Sequence, residues 1–523
     1  MPNTRVNDVK VATLDSDAFR GDVLAMTQEP CFLSRGDGGS LENKGGVLLY
    51  DVTDPSTPRL LSKAYIAGMS GSETNFGVHN TYFFEQGGRH YLGLVDDDNV
   101  RDFRILDVTD PYAPVEVAAV GWPDWLDATT DPQGASGLGS FAASFIHDLW
   151  IERHDGKLIG YLSYWDAGLI LLDLTDPANP VFLGDSDYDT TGPEGEATGE
   201  EGNSHVAVPA PAEDGRYVLM GDEDFSPYRS IATYDPAGSA DPVEIQAAEG
   251  AFTTQLSSYA TSPLPEGLVS AGGELCTRNG VDFAGGVALI ARGSCTFQLK
   301  AENAKAQGAI GMVVYNDAAR GDSLVLMGGD GIADFFGFFV GHTDGMAMED
   351  AVASGGADFN VEQLFDGWGY LRVIDTKDGT DDGKFTEVGS FATPNVFRDA
   401  PLPGDYTMHN IVMGPAGTAW ADTAFISWYS DGMIALDASD PTDLAWVGQW
   451  VGCYGQGTCD PTVDSNGNAQ SAATNLWGVY PTVIDGEVLI LGSDRNNGLV
   501  VLRPQAVKKP IRGGLEPGGG ATP

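Results

Sequence analysis

Four of the seven histidines in this 523-residue chain, His79, His147, His205 and His409, stand at matching points of a repeated pattern. Three are followed by side chains that can hydrogen-bond an imidazole, Asn80, Asp148 and Asn410. Brought to one point, four neutral imidazoles would suit zinc, copper or iron, with those amide and carboxylate groups holding the ring tautomers from behind. Glu201, just before His205, would add a carboxylate able to act as metal ligand or general base. The competing reading is structural. A duplicated unit copies its strand-start residue, and a histidine there can bond the neighbouring backbone without binding anything. Because repetition alone accounts for the shared phase, the structural reading ranks ahead of the metal.

The elements that position these residues are strands. "LLYDVTDPSTP" (48–58), "RILDVTDPYAP" (104–114), "LLDLTDPANP" (171–180) and "IALDASDPTDL" (434–444) spell one strand and its exit turn four times. Around the third copy, "HDLWIERHDGKLIGYLSYWDAG" (147–168) supplies two strands before it and "NPVFLGDS" one after, a four-stranded antiparallel unit. The third strand of each unit ("GLILLDL", "GMIALDA", "GLVVLRP") is continuously apolar, as burial on both faces between stacked sheets demands. Proline then ends the ladder, and the aspartate before it can accept turn amides. Each histidine opens the first strand of its unit, the strand that would line a central channel.

These phased repeats, over 6–246 and 367–504, resemble the LVIVD-repeat propellers of bacterial extracellular proteins. The resemblance implies a mainly β fold, a six-bladed β-propeller, with seven blades if residues 121–143 add strands. The last unit, "WGVYPTVIDGEVLILGSDRNNGLVVLRP" (477–504), has three strands, and "NDVKVATL" (7–14) is expected to complete it and close the ring.

The repeat breaks once. Successive histidines lie about 60–70 residues apart until His205 and His409, which are about 200 apart, an excess too long for a structureless loop. Within the gap, "GGVALIARGSCTFQLKAENAKAQGAIGMVVYND" (285–317) reads as strand, turn, helix and strand. Its Arg-Gly-x-Cys-x-Phe core and the later "FFGFFVGHTDGMAMEDAVASG" resemble the α/β protease-associated (PA) domain. That resemblance implies an insert at 247–366, within the fourth blade, and a disulfide between Cys276 and Cys295. PA domains hold partners or gate substrates and are not catalytic, and the chain has neither H-E-x-x-H nor G-x-S-x-G.

Seventy-five acidic against 28 basic residues give a formal charge of −47, which disfavours nucleic acid and anionic membranes and attracts cations. No apolar run is long enough for a transmembrane helix, and no signal peptide opens the sequence. Cys453 and Cys459 bracket a short loop able to close a second disulfide, leaving Cys31 as a small buried apolar residue. Cysteine usage points to an extracellular or cell-surface protein. A second acidic series (Asp96, Asp97 and Asp98; Asp166; Asp222, Glu223 and Asp224; Asp431; Asp494) could offer oxygen ligands to Ca2+, though turn residues account for it better. His90, His154 and His342 fall at turns or strand edges and are expected to be solvated. Residues 505–523 read as a flexible tail.

The leading expectation is a binding scaffold for a protein, peptide or glycan, with the PA domain overhanging one face of the propeller. The alternative is a metal-dependent oxidoreductase or hydrolase with its centre at the four histidines.

Overall fold

The computed structural model describes residues 4–30, 45–66, 77–96, 101–121, 124–125, 145–165, 167–186, 203–225, 227–239, 241–259, 261–322, 324–325, 327–365, 367–377, 384–398, 404–452, 462–463, 469–470, 474–505 and 511–512. Cys31, Asp97, Asp98, Asp166, Glu201, Cys453, Cys459 and most of 121–143 lie outside them, so the second disulfide and the seventh-blade expectation lie there too.

The fold is mainly β, and its sheets form a propeller-like arrangement. Among the described residues four hold a four-stranded antiparallel blade; Val181–Ser186 and Lys384–Phe391, the outer strands of two of them, also pair in parallel, and Ile511–Arg512 adds to the edge of another. Sheet 2 contains Val78–Gln86, Arg89–Asp96, Phe103–Asp107 and Val115–Val120. Sheet 3 contains Asp148–His154, Lys157–Ser163, Leu169–Asp173 and Val181–Ser186. Sheet 4 contains Ser204–Pro209, Tyr217–Asp222, Leu371–Asp375 and Lys384–Phe391. Sheet 5 contains Ile411–Met413, Thr423–Trp428, Gly432–Asp437 and Ala445–Trp450. The regular blades are therefore four, where six were expected.

Two less regular sheets flank them. In sheet 1 the inner position is split, Thr4–Arg5 and Val9–Asp15 both pairing with Arg20–Pro30, before Gly46–Asp51 and Arg59–Ile66 follow. Sheet 6 has three strands, Leu476–Ile484, Glu487–Asp494 and Gly498–Leu502. The expected closure is corrected here. Val9–Asp15 runs in unbroken register against Arg20–Met26, a short hairpin, and among the described residues it does not pair with Gly498–Leu502. A neighbour four residues away along the chain forms its ladder with far less loop-closure entropy than the opposite terminus would.

The repeated phrase has a clear role. Asp54, Asp110, Asp176 and Asp440, each before a proline or its equivalent turn, accept the amides of Ser56, Tyr112, Ala178 and Thr442 at 3.0–3.2 Å. The aspartate three residues earlier does the same for Thr53, Thr109, Thr175 and Ser439 at 2.9–3.1 Å. Two Asx-type turns in tandem thus satisfy the backbone as each third strand leaves the sheet.

Third strands are buried where a sheet has neighbours on both sides. Leu169–Asp173 and Leu371–Asp375 lie in cores shared with sheets 2 and 5, at about 1.5–3 kcal/mol per large apolar side chain. Similar cores join sheets 1 and 2, 3 and 4, and 5 and 6. The sixth third strand departs from the expectation of two-sided burial: Leu499 is 71% and Val501 53% exposed. Two ion clusters recur between strands, the largely buried pairs Arg104–Asp96 and Arg372–Asp222, each extended by a more exposed glutamate, Glu116 and Glu387.

The chain leaves sheet 4 after its second strand and returns at its third, Tyr217–Asp222 pairing directly with Leu371–Asp375. Between them the antiparallel pair Tyr228–Pro236 and Ala357–Phe365 leads into a second sheet, whose centre is the parallel run Glu266–Ser270, Val287–Ala291, Gly311–Tyr315 and Phe336–Val340. One core contains Ala301 and Ala304 of the helix Phe297–Lys305, and another contains Met348 of the helix His342–Ser354. Thr296 caps the first helix by accepting the Leu299 amide. Cys276 and Cys295 form a disulfide.

At Gly432, φ is +77° and an added Cβ would stand 2.1 Å from the Trp450 carbonyl oxygen. Gly432→Ala should therefore lower stability by at least about 2 kcal/mol, read as a shift in denaturant midpoint at unchanged slope.

Candidate metal centre at the propeller axis

Inner strands pack side by side around the axis, and this brings the repeated histidines together. His147 and His409 each sit one or two residues ahead of an inner strand, their amides donated to the carbonyls of Ser163 and Ser427 at 2.8 and 2.9 Å. His79 and His205 lie within Val78–Gln86 and Ser204–Pro209. Ring centroids follow one another at 4.4 Å (His79–His147), 4.1 Å (His147–His205) and 4.0 Å (His205–His409), and Trp477 continues the series 5.0 Å from His409.

The rings differ in charge tendency. Burial, reinforced by neighbouring imidazoles, drives His147, His205 and His409 well below the usual 6.5. They are neutral, the form that binds metal. The carbonyls of His205, His409 and Trp477 pull the other way, each on the ring before it. Nevertheless Nδ1 of all three rings stops short of a hydrogen bond. The structural reading, in which each ring bonds the next backbone, is thus met in placement but not in geometry. A buried nitrogen so placed costs about 1–3 kcal/mol unless a bound group draws the ring in.

A carboxylate joins them. Glu223, just after the second strand of sheet 4, places its oxygens 3.6 Å from His205 Nε2 and 3.5 Å from His409 Nε2. Ligand atoms of His147, His205 and Glu223 lie within 4.8 Å of one another. Donors on a metal at ~2.1 Å stand about 3.4 Å apart, so the three need draw in by only about an ångström. Burial pushes Glu223 up to about 7, against the downward pull of the Tyr429 hydroxyl, which donates to it at 2.5 Å, and of His79 and Arg495. His79 instead meets Glu29 through Nδ1 at 2.5 Å. Burial raises Glu29, but the bond and charge of His79, with Arg5, outweigh it and hold the carboxyl below 4.5.

The residues expected to back the rings do other work. Asn80 reaches the His147 carbonyl at 3.4 Å and accepts from Asn7 at 3.1 Å. Asp148 is raised to about 6 by burial and accepts the Leu149 amide at 2.7 Å. Asn410 has a buried Oδ1 without a partner. None is bonded to Nδ1 of His147, His205 or His409, because a side chain one residue on along a strand points to the other face. The carboxylate of the site is Glu223, which had been grouped with the turn acids.

Among the described residues those acids do not gather into an oxygen cage. Asp96 and Asp222 pair with arginines, Asp431 with Thr393 and Asn395, and Asp494 with amides of 475, 496 and 497. The remaining histidines are more engaged than expected: His90 Nε2 accepts the Asp15 amide at 3.2 Å, His154 packs on Tyr161, and His342 meets the Asn316 carbonyl at 3.0 Å.

Sequence reasoning also missed a layer above the imidazoles. Ser163 and Ser427 are matched through the His147 and His409 amides, and Thr27 and Ser427 through their bonds to the carbonyls of Asp8 and Asn410. Two residues beyond stand Glu29, Trp165 and Tyr429. Glu223 and Arg495 hold the same place in sheets 4 and 6, donating their amides to Asn203 and Asn475 at 2.9 Å. Each stands within two residues of the end of its sheet's second strand, at Pro30, Ser163, Asp222, Trp428 and Asp494, and that position was the signal that would have found them.

The PA domain family matches residues 256–348. The C5a peptidase of Streptococcus pyogenes is 27% identical over 130 residues, 25% of this chain and 10% of that protein. The minor extracellular protease Vpr of Bacillus subtilis is 57% identical over 51 residues, 10% of this chain and 6% of that protein. The chain thus spans a tenth or less of these relatives. Among solved structures, a zinc aminopeptidase from Bacillus subtilis is 21% identical at a TM-score of 0.21, covering 30% of this chain and 36% of that one. The C-terminal domain of Pseudomonas aeruginosa PilY1 is 13% identical at a TM-score of 0.35, covering 95% and 83%. No helix among the described residues is long and apolar enough to cross a membrane.

The buried groups set a pH dependence for the metal-free protein. Three imidazoles neutral when folded take up protons on unfolding, so their stabilisation is present above 6.5 and lost as pH falls below it, by about 4 kcal/mol per pH unit at most. Glu223, raised from 4.5 to about 7, opposes this: its contribution is present below 4.5 and lost as pH rises towards 7. In denaturation curves between pH 5 and 6.5, His147→Gln should flatten the acid loss and Glu223→Gln should steepen it.

Proposed function

We propose that this chain is an extracellular, metal-dependent enzyme, an oxidoreductase or hydrolase, with a first-row transition metal at the propeller axis. The observation that carries the reading is the convergence of three neutral imidazoles, the half-buried His147 and the buried His205 and His409, with the Glu223 carboxylate on the last two. His79, paired with Glu29, stands beside them as a fourth nitrogen donor. Mixed imidazole and carboxylate donors suit zinc, copper or iron, and exclude calcium as the preferred occupant. The metal would supply Lewis acidity, or redox chemistry if copper or iron. Glu223 would hold or release a proton beside the metal, with the Tyr429 hydroxyl fixing its orientation.

The reading includes an LVIVD-type propeller over 6–246 and 367–504, with the PA domain at 247–366. Export is supported by the disulfide and by the word "extracellular" in the name of one relative. A second reading, a scaffold that binds a protein, peptide or glycan through the PA domain, is favoured by the match at 256–348 and by the peptidase names of the relatives. The two are compatible, since the histidines lie outside the matched residues.

Protein purified without tag or chelator should carry close to one transition metal per chain by elemental analysis. His205→Ala should weaken binding by more than the roughly 10–100-fold that loss of an outer partner costs. Metal at trace level, unchanged in His205→Ala and His409→Ala, would overturn the metal reading and leave the scaffold.

A further inference from the structure

The layer above the imidazoles has a chemistry of its own. The sheets repeat histidine at one level and diverge at the next, where Glu29, Trp165, Glu223, Tyr429 and Arg495 occupy matched positions. Duplication explains the copied level. It does not explain why the level above varies, with glutamate in sheets 1 and 4, tryptophan in sheet 3, tyrosine in sheet 5 and arginine in sheet 6, and differing side chains around one axis are what a selective site requires.

Three consecutive sheets, 3 to 5, contribute Trp165, Glu223 and Tyr429. The Trp165 ring lies 5.1 Å from His147 and stacks on Phe145 at 5.4 Å and 16°. Tyr429 stands edge-on to His409 at 5.4 Å, and Phe225, 47% exposed, packs edge-on to Tyr429 at 5.1 Å. Glu223, from sheet 4, faces Nε2 of His205 and His409 and accepts from the Tyr429 hydroxyl. Trp165 is held at φ +42°, a left-handed conformation that is a real outlier for so bulky a residue. The surroundings fix it there: Gly168 donates to its carbonyl at 3.0 Å and Ser204 at 3.1 Å. Strain of about 1–3 kcal/mol kept in place by its surroundings is found mainly at functional sites.

We propose that Trp165 and Tyr429 form a substrate subsite for a small uncharged aromatic molecule bearing one hydrogen-bond donor, a phenol or an aromatic amine, whose donor group points to Glu223. Flat rings suit offset or edge contacts with the two walls. A carboxyl oxygen beside them selects a donor over a bare ring. Arg495 lies close enough to draw on Glu223 and His409 electrostatically, which disfavours a cationic guest. The −47 surface disfavours an anionic one. The subsite rests on the proposed metal centre for its catalytic meaning but not for its binding.

The test compares phenol, anisole, cyclohexanol and tetramethylammonium by saturation-transfer NMR and tryptophan fluorescence, on full-length protein with and without added metal. Phenol should bind in both forms, more tightly than anisole or cyclohexanol. Trp165→Ala should weaken phenol about two- to tenfold, Trp165→Tyr should restore most of it, and metal content should not change in either. Near-ultraviolet circular dichroism checks that both variants are folded. Equal binding of cyclohexanol, preference for tetramethylammonium, or indifference to Trp165→Ala in folded protein would each overturn the subsite while leaving the metal result standing. Phenol binding in a protein that takes up no metal would remove the metal reading and keep the subsite.

Discussion

Burial of the third strand on both faces is the constraint from which the site follows. A strand such as Leu169–Asp173, apolar at its first four positions, cannot stay in a sheet that faces water, so its sheet takes a neighbour on either side. Stacked, twisted sheets splay outwards and converge inwards. The inner strands are thereby forced together, and whatever residue the repeat places at their start becomes part of one cluster. Histidine occupies that place four times. A run of four rings, each 4.0–4.4 Å from the next, is a consequence of core packing elsewhere.

The same constraint sets the electrostatics. Sheets packed this tightly keep water from the axis, and three imidazoles lose their proton as a result. Loss of water also raises Glu223, so the cluster holds neutral nitrogen donors beside a carboxyl poised near neutrality. A polar cluster of this kind is costly to bury when only partly satisfied. Its cost is met elsewhere in the fold, by continuous apolar cores between neighbouring sheets and by tandem aspartate turns that bond the backbone where third strands end.

Much of this was legible in the sequence, because strand periodicity and turn chemistry are local. The third strands, the Asp-Pro turns, the histidine phase and the interruption of sheet 4 all follow from residues close in the chain. So did the Cys276–Cys295 bridge, through its likeness to a known domain. What failed was non-local. The pairing of Val9–Asp15 was assigned to the far terminus, whereas the hairpin with Arg20–Met26 forms instead. The exposed Leu499 and Val501 look identical in sequence to their buried counterparts, since burial depends on a neighbouring sheet and not on the strand. Glu223 was passed over because acids near turns are common, and only three-dimensional register separates it from Asp222, one residue earlier, which serves an arginine.

The central claim is that imidazoles from separate sheets share a point on the axis that can bind one ion. X-ray absorption at the metal edge of zinc- or copper-loaded protein tests it most directly. A first shell of nitrogen and oxygen with outer-shell scattering from at least three imidazoles, for His147, His205 and His409, is the predicted result. An all-oxygen shell without imidazole scattering would place the ion on the acidic surface and contradict the claim.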